Sequence, residues 1–142
     1  MYLSYAEYEE YGGTMDEASF LPLAFEAESR IDWYTFKRLR KFYDKGLPIP
    51  FEVKMCEMFL INLIKTKMDL LTPQNSNGGI NANAQVMAQA NDGVSVEYSV
   101  LHADEIYYNS KKEIDEAITR YLDGVLDSLG RPILYRGLYP DE

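Results

Sequence analysis

The clearest periodicity in the chain runs from Phe51 to Leu71. Val53, Cys56, Phe59, Leu60, Leu63, Ile64 and Leu71 recur at helical spacing, while Glu52, Lys54, Glu57, Lys65 and Asp69 fall mostly off that stripe. Pro50 suits a first helical position and Pro73 follows the end, so a helix is predicted over 51–71. A second long stripe, Ile106, Ile114, Ala117, Ile118, Tyr121, Leu122, Val125 and Leu129, predicts a helix from Ala103 to about Leu129, with Gly130 as its C-cap and Pro132 just beyond. A third, Phe20, Leu23, Ala24, Ala27, Ile31 and Tyr34, is opened by a Thr14-x-x-Glu17 capping box. Pro22 falls in its second turn and predicts either a kink or a short segment handing over to a longer one. Ser4 and Glu7 form a capping box for a short helix over 4–11, which Gly12-Gly13 ends. Tyr2, Tyr5, Tyr8 and Tyr11 recur every third residue and so spread over more than one helix face, as interface aromatics or as caps on the core.

Two stretches break the helical pattern. Residues 72–93 are dominated by Asn, Gln, Gly, Ala and Ser, with no aromatic residue and no charge before Asp92, and predict a long polar loop that cannot bury enough apolar area to offset its chain entropy. Residues 94–100 alternate Val94, Val96, Tyr98 and Val100 against Ser95, Glu97 and Ser99, the period of a strand. A lone strand needs a partner for its backbone groups, and a second copy of the chain can supply one. The tail over 131–142 is short and rich in aromatic and apolar residues, which either fold back or dock on a partner. The expected fold is therefore mainly α: one domain over 1–142, a small helical bundle with a long polar loop and one short strand available for pairing between subunits.

Charge sharpens this picture. The 142 residues carry a net charge of −9, which disfavours binding to nucleic acid by phosphate neutralisation. Residues 1–33 hold 8 acids against 1 base, whereas 34–67 hold 3 acids against 8 bases. That asymmetry lets copies meet head to tail, with the acidic segment of one facing Lys37, Arg38, Arg40, Lys41 and Lys45 of the next; ordinary charged helix surface is the plainer reading. A single cysteine excludes an intrachain disulfide and suits a reducing compartment. No apolar run is long enough to span a membrane, and the first residues lack the basic start and apolar stretch of a signal peptide. Catalytic signals are poor. His102 is the sole histidine, Cys56 lies on an apolar stripe, and His102, Asp104 and Glu105 do not converge on one helix face as metal ligands would. No enzyme activity, cofactor or metal is expected.

Order and combination of motifs add a resemblance. Y-L-S-Y-x-E-Y is followed by G-G-T-x-D-E-A-x-F (12–20), S-R-I-D-W-Y-T-F-x-R-L, N-D-G-V-S-V-E-Y (91–98) and a closing L-Y-R-G. Across nearly the whole chain this resembles the head–tail connector (adaptor) proteins of long-tailed phages and prophages of Gram-positive bacteria. Pro22 and the Asn-rich 72–90 stretch depart from that family's pattern. The resemblance implies a non-enzymatic virion subunit, made in the host cytoplasm. Usually twelve copies form a ring under the capsid portal, extend the DNA channel without sequence-specific binding, and offer a platform to the next neck protein. Leu134, Tyr135, Arg136, Leu138 and Tyr139 are then expected to dock on the portal. Arg38, Arg40 and Lys41, together with Asp92, Gly93, Val94, Val96 and Tyr98, are expected at the subunit interface. The competing reading is a soluble helical regulator that binds a cellular protein through 37–41 or the tail.

Overall fold

The structure is a computed structural model that describes residues 1–71 and 95–140, with side chains for 1–71 and 109–140. The described chain is helical: α1 (Tyr5–Glu10), α2 (Glu17–Tyr34), α3 (Arg38–Asp44), α4 (Phe51–Leu71) and α5 (Ser95–Leu122). No sheet occurs among the described residues, only an isolated antiparallel bridge between Leu126 and Pro132.

Helix α4 is central and packs against both α2 and α5. Its Val53, Cys56, Leu60 and Ile61 are buried, as their spacing requires, and meet Phe20, Ala24, Ala27 and Ile31 of α2 and Ile114, Ala117, Ile118 and Leu122 of α5 in one apolar cluster. Small residues at 24, 27 and 117 let the helix surfaces approach closely. Helix α1 begins with the expected capping box: the Ser4 hydroxyl accepts from the Glu7 N–H, and the Glu7 carboxylate accepts from the Ser4 N–H at 2.9 Å. Glu7 also takes the Lys54 ammonium of α4. That hydrogen bond and the one from Ser4 pull its carboxyl down to about 2. Tyr8 is buried against Phe20, ring centroids 4.9 Å apart, which seats α1 on α2.

Gly13 is required by this packing. A Cβ there would lie 2.2 Å from the Tyr8 ring. Gly13→Ala is therefore expected to destabilise the fold by roughly 1–3 kcal/mol, read as a shift in denaturation midpoint. An unshifted midpoint would mean that Tyr8 can move aside freely.

Several sequence expectations are corrected. Residues 94–100 were expected as a strand, but α5 begins at Ser95 and contains Val96 and Tyr98. Val96, Val100, Ala103 and Tyr107 also recur at helical spacing. Extending an existing helix costs only propagation, whereas a lone strand has no partner among the described residues. The same helix stops at Leu122, not near Leu129, because Gly124 takes a left-handed φ of 74°. Gly130 instead serves a turn closed by Asp127. Helix α2 is capped by Asp16, whose carboxylate accepts from the Ser19 N–H at 3.1 Å, so Thr14 is not its cap. Pro22 sits within α2, where it lacks an N–H for the carbonyl of Ala18. Glu57, expected on the solvated side of α4, is fully buried. The predicted 72–93 loop, with Asp92, Gly93 and Val94, lies outside the described residues.

Candidate interaction surface

The corner between α2 and α3 gathers most of the residues singled out by charge and by the tail. Helix α2 ends at Thr35, whose buried hydroxyl donates back to the Ile31 carbonyl at 2.9 Å. Phe36 and Lys37 then both adopt left-handed backbone, φ 55° and 57°. Neither is glycine, so the corner stores strain on the order of 1 kcal/mol per residue. A 2.7 Å hydrogen bond from the Lys37 N–H to the Asp32 carbonyl holds it. The reversal lets α3 fold back so that Arg40 reaches the carboxylates of Glu28 and Asp32 on α2.

Arg40 thereby completes a buried polar cluster. The Glu28 carboxylate also accepts from the Tyr2 N–H at 3.1 Å, and that of Asp32 accepts from the Tyr2 hydroxyl. Burial, followed by that hydrogen bond, pushes the Tyr2 phenol far above its ordinary pKa. One oxygen of Glu57 accepts from the Leu3 N–H at 3.0 Å, while the other has no hydrogen-bond partner. Burial, reinforced by the nearby Glu28, pushes the Glu57 carboxyl up to about 8. The neighbouring Cys56 thiol rises to about 12 through burial, so it stays protonated and is a poor nucleophile at neutral pH.

Arg38 ties the tail to α3. Its guanidinium donates to the carbonyls of Tyr135 and Gly137 and lies 4.2 Å from the centre of the Tyr139 ring. Arg131 lies 4.3 Å from the same centre, and the Tyr139 hydroxyl donates to the Pro132 carbonyl. Arg131 is itself held by Asp127, whose carboxylate accepts from Arg131 Nε at 2.9 Å and from the N–H groups of Leu129 and Arg131. Ile133 is buried, its N–H bonded to the Val125 carbonyl at 3.0 Å.

The predicted site residues therefore divide. Arg38 and Arg40, expected against a neighbouring subunit, make contacts within their own chain. Lys41 is exposed on α3 and lines a recess of about 340 Å³ with Arg38, Phe42, Lys45, Leu47, Leu129 and Arg131. Of the five tail residues, Tyr139 is buried and Leu134 packs against the core. Tyr135 and Arg136 are exposed, and Leu138 is 81% exposed. For Val96 and Tyr98 only helical backbone is described, and Asp92, Gly93 and Val94 lie outside the described residues.

Two aromatic residues at this corner were not singled out from the sequence. Trp33 is 74% exposed and Phe36 53% exposed, and with Asp32, Tyr34, Lys37 and Arg136 they line an open groove of about 490 Å³. Trp33 lies off the apolar stripe of α2, the signal that could have marked it as outward-facing. No group of three or more His, Cys, Asp or Glu side chains among the described residues could hold a metal ion, and no described helix is long and apolar enough to cross a membrane. The chemistry on offer is adhesion, an aromatic and cationic surface on a helical frame. Comparisons of this chain with protein-family models, curated proteins and solved structures found no match.

Proposed function

We propose that this chain is a structural adaptor subunit of a phage head–tail junction. On this reading copies assemble as a ring, twelve by the resemblance, between the capsid portal and the next neck protein, with DNA passing through. The observation that supports it most is the strapped tail. Arg38, Arg131 and Ile133 fix residues 131–140 on the helical body, yet leave Tyr135, Arg136 and Leu138 outward, with Arg136 beside Trp33 and Phe36. A rigid body presenting exposed aromatic and aliphatic anchors is what a permanent protein contact uses. The net charge of −9 suits a channel component that must not hold DNA.

The test combines size and substitution. Mixed with portal protein, the chain is expected to form a large oligomer visible as rings by electron microscopy. Leu138→Asp is expected to weaken portal binding by tenfold or more with an unchanged melting temperature, because the side chain stands in solvent. Normal portal binding by this variant would remove Leu138 from the contact. A chain that binds no portal, but retains a cellular protein through the same face, would instead favour a soluble regulator.

A further inference from the structure

The exposed groove at the α2–α3 corner is aromatic with a cationic rim: Trp33 and Phe36 form its walls, and the exposed Lys37 and Arg136 its edge. The chain carries a surface of opposite character elsewhere. At the end of α1, Tyr11 packs edge-on against Phe51, ring centroids 5.7 Å apart, and Phe51 remains 56% exposed. Glu10 and Glu52, both exposed, flank that pair. Tyr5 and Tyr8 of α1 pack on Phe20, in the first turn of α2, whereas Trp33 is in its last turn. Thirteen residues of helix separate those turns, roughly 20 Å, and neither Tyr11 nor Phe51 is among the residues that line the groove.

We infer that the acidic aromatic knob of one copy, Tyr11 and Phe51 with Glu10 and Glu52, seats in the cationic aromatic groove of a second copy. Complementary charge selects the occupant. An aromatic anchor flanked by carboxylates fits a groove rimmed by Lys37 and Arg136, and the chain provides both halves. The strained backbone at Phe36 and Lys37 supports this placement, since left-handed non-glycine residues here put an aromatic side chain and an ammonium at the rim. A contact between two different surfaces is heterologous, so it repeats from copy to copy and closes into a ring when the rotation permits. The inference deepens the ring reading and rests on it for the closed assembly, though not for the pairwise contact. It also replaces Arg38 and Arg40, which act within the chain, with Lys37 and Arg136 as the cations that meet a neighbour.

Reciprocal charge reversal tests it. One variant carries Lys37→Glu and Arg136→Glu, the other Glu10→Lys and Glu52→Lys; all four side chains are exposed, so circular dichroism and melting should match wild type. Sedimentation of the full chain up to ~0.5 mM is expected to show self-association of wild type, a loss of at least tenfold in each variant, and recovery in their equimolar mixture. A wild-type chain that stays monomeric throughout overturns the inference. So does self-association that persists in both variants, which would leave a ring possible through other residues. Loss in each variant without recovery in the mixture would likewise overturn the proposed pairing. Portal binding by the Glu10→Lys and Glu52→Lys variant, whose substitutions lie outside the tail, reports separately on the adaptor reading.

Discussion

Truncation after Gly130 is expected to cost the protein at least about 4 kcal/mol, a fall in melting temperature of roughly 10 °C or more for a domain of this size. The loss comes from the tail's own packing. Ile133 is 2% exposed in the shared core and Leu134 packs against it. Tyr139 lies beside two guanidinium groups and donates to the Pro132 carbonyl. Removal would also take from Arg38 the Tyr135 and Gly137 carbonyls and the Tyr139 ring. Should the truncated chain fail to fold, Ile133→Ala provides a milder version, with an expected cost of about 2–4 kcal/mol. A truncation that leaves the melting temperature unchanged would show that the tail contributes nothing to the subunit and serves only a partner. Leu138 is exposed and Tyr139 buried, so substitutions at these two neighbouring residues test the proposed docking and the folding separately.

Stability is expected to fall as pH rises from about 4.5 toward about 8, and Glu57→Gln is expected to flatten that slope. Glu57 holds a proton in the folded chain up to about pH 8, whereas unfolding returns its carboxyl to the ordinary value of 4.5. Between those values the folded state binds more protons than the unfolded state, so stability is fully present below 4.5 and is lost on the way up to 8. The ceiling on this loss is about 4–5 kcal/mol. Burial of the carboxyl is the largest cause, and the surrounding groups adjust it. Glu28 and Asp32 from α2 raise the carboxyl, while the amino group of Met1 and the Leu3 N–H lower it; Arg40 neutralises the two α2 carboxylates. Cys56 beside it stays protonated, and Arg120 of α5 acts on that thiol. Glu7 has the opposite sign. Its carboxyl is held down to about 2 by Lys54 and Ser4, so its contribution is lost as pH falls from 4.5 to 2. Maximum stability from these two groups should therefore lie near pH 4.5, read from denaturation midpoints across pH. The Gln variant keeps an acceptor for Leu3, so its slope above pH 5 isolates the titration. An unchanged slope would assign the pH dependence to other groups.

The helices were legible in the chain wherever an apolar stripe ran for several turns. Phe51–Leu71 matches its predicted span, and the Ser4–Glu7 box caps α1 as expected, because both signals are local: a face to bury and N–H groups to satisfy. The short alternation over 94–100 was not decisive, since Val96 and Val100 also belong to a helical stripe with Ala103 and Tyr107, and only the helix continues into α5. The polarity of Glu57 pointed outward, but packing of α2 and α1 over α4 enclosed it and supplied the Leu3 N–H. Likewise the run 37–41 read as one basic patch, yet the left-handed corner at Phe36 and Lys37 sends Arg40 to the carboxylates of α2 and Arg38 to the tail, and leaves Lys37 outside. Local pattern decides which backbone a segment can form. Which charges are satisfied within the chain, and which aromatic residues stay in solvent, depends on contacts between residues up to 99 positions apart, and only the tertiary structure decides those.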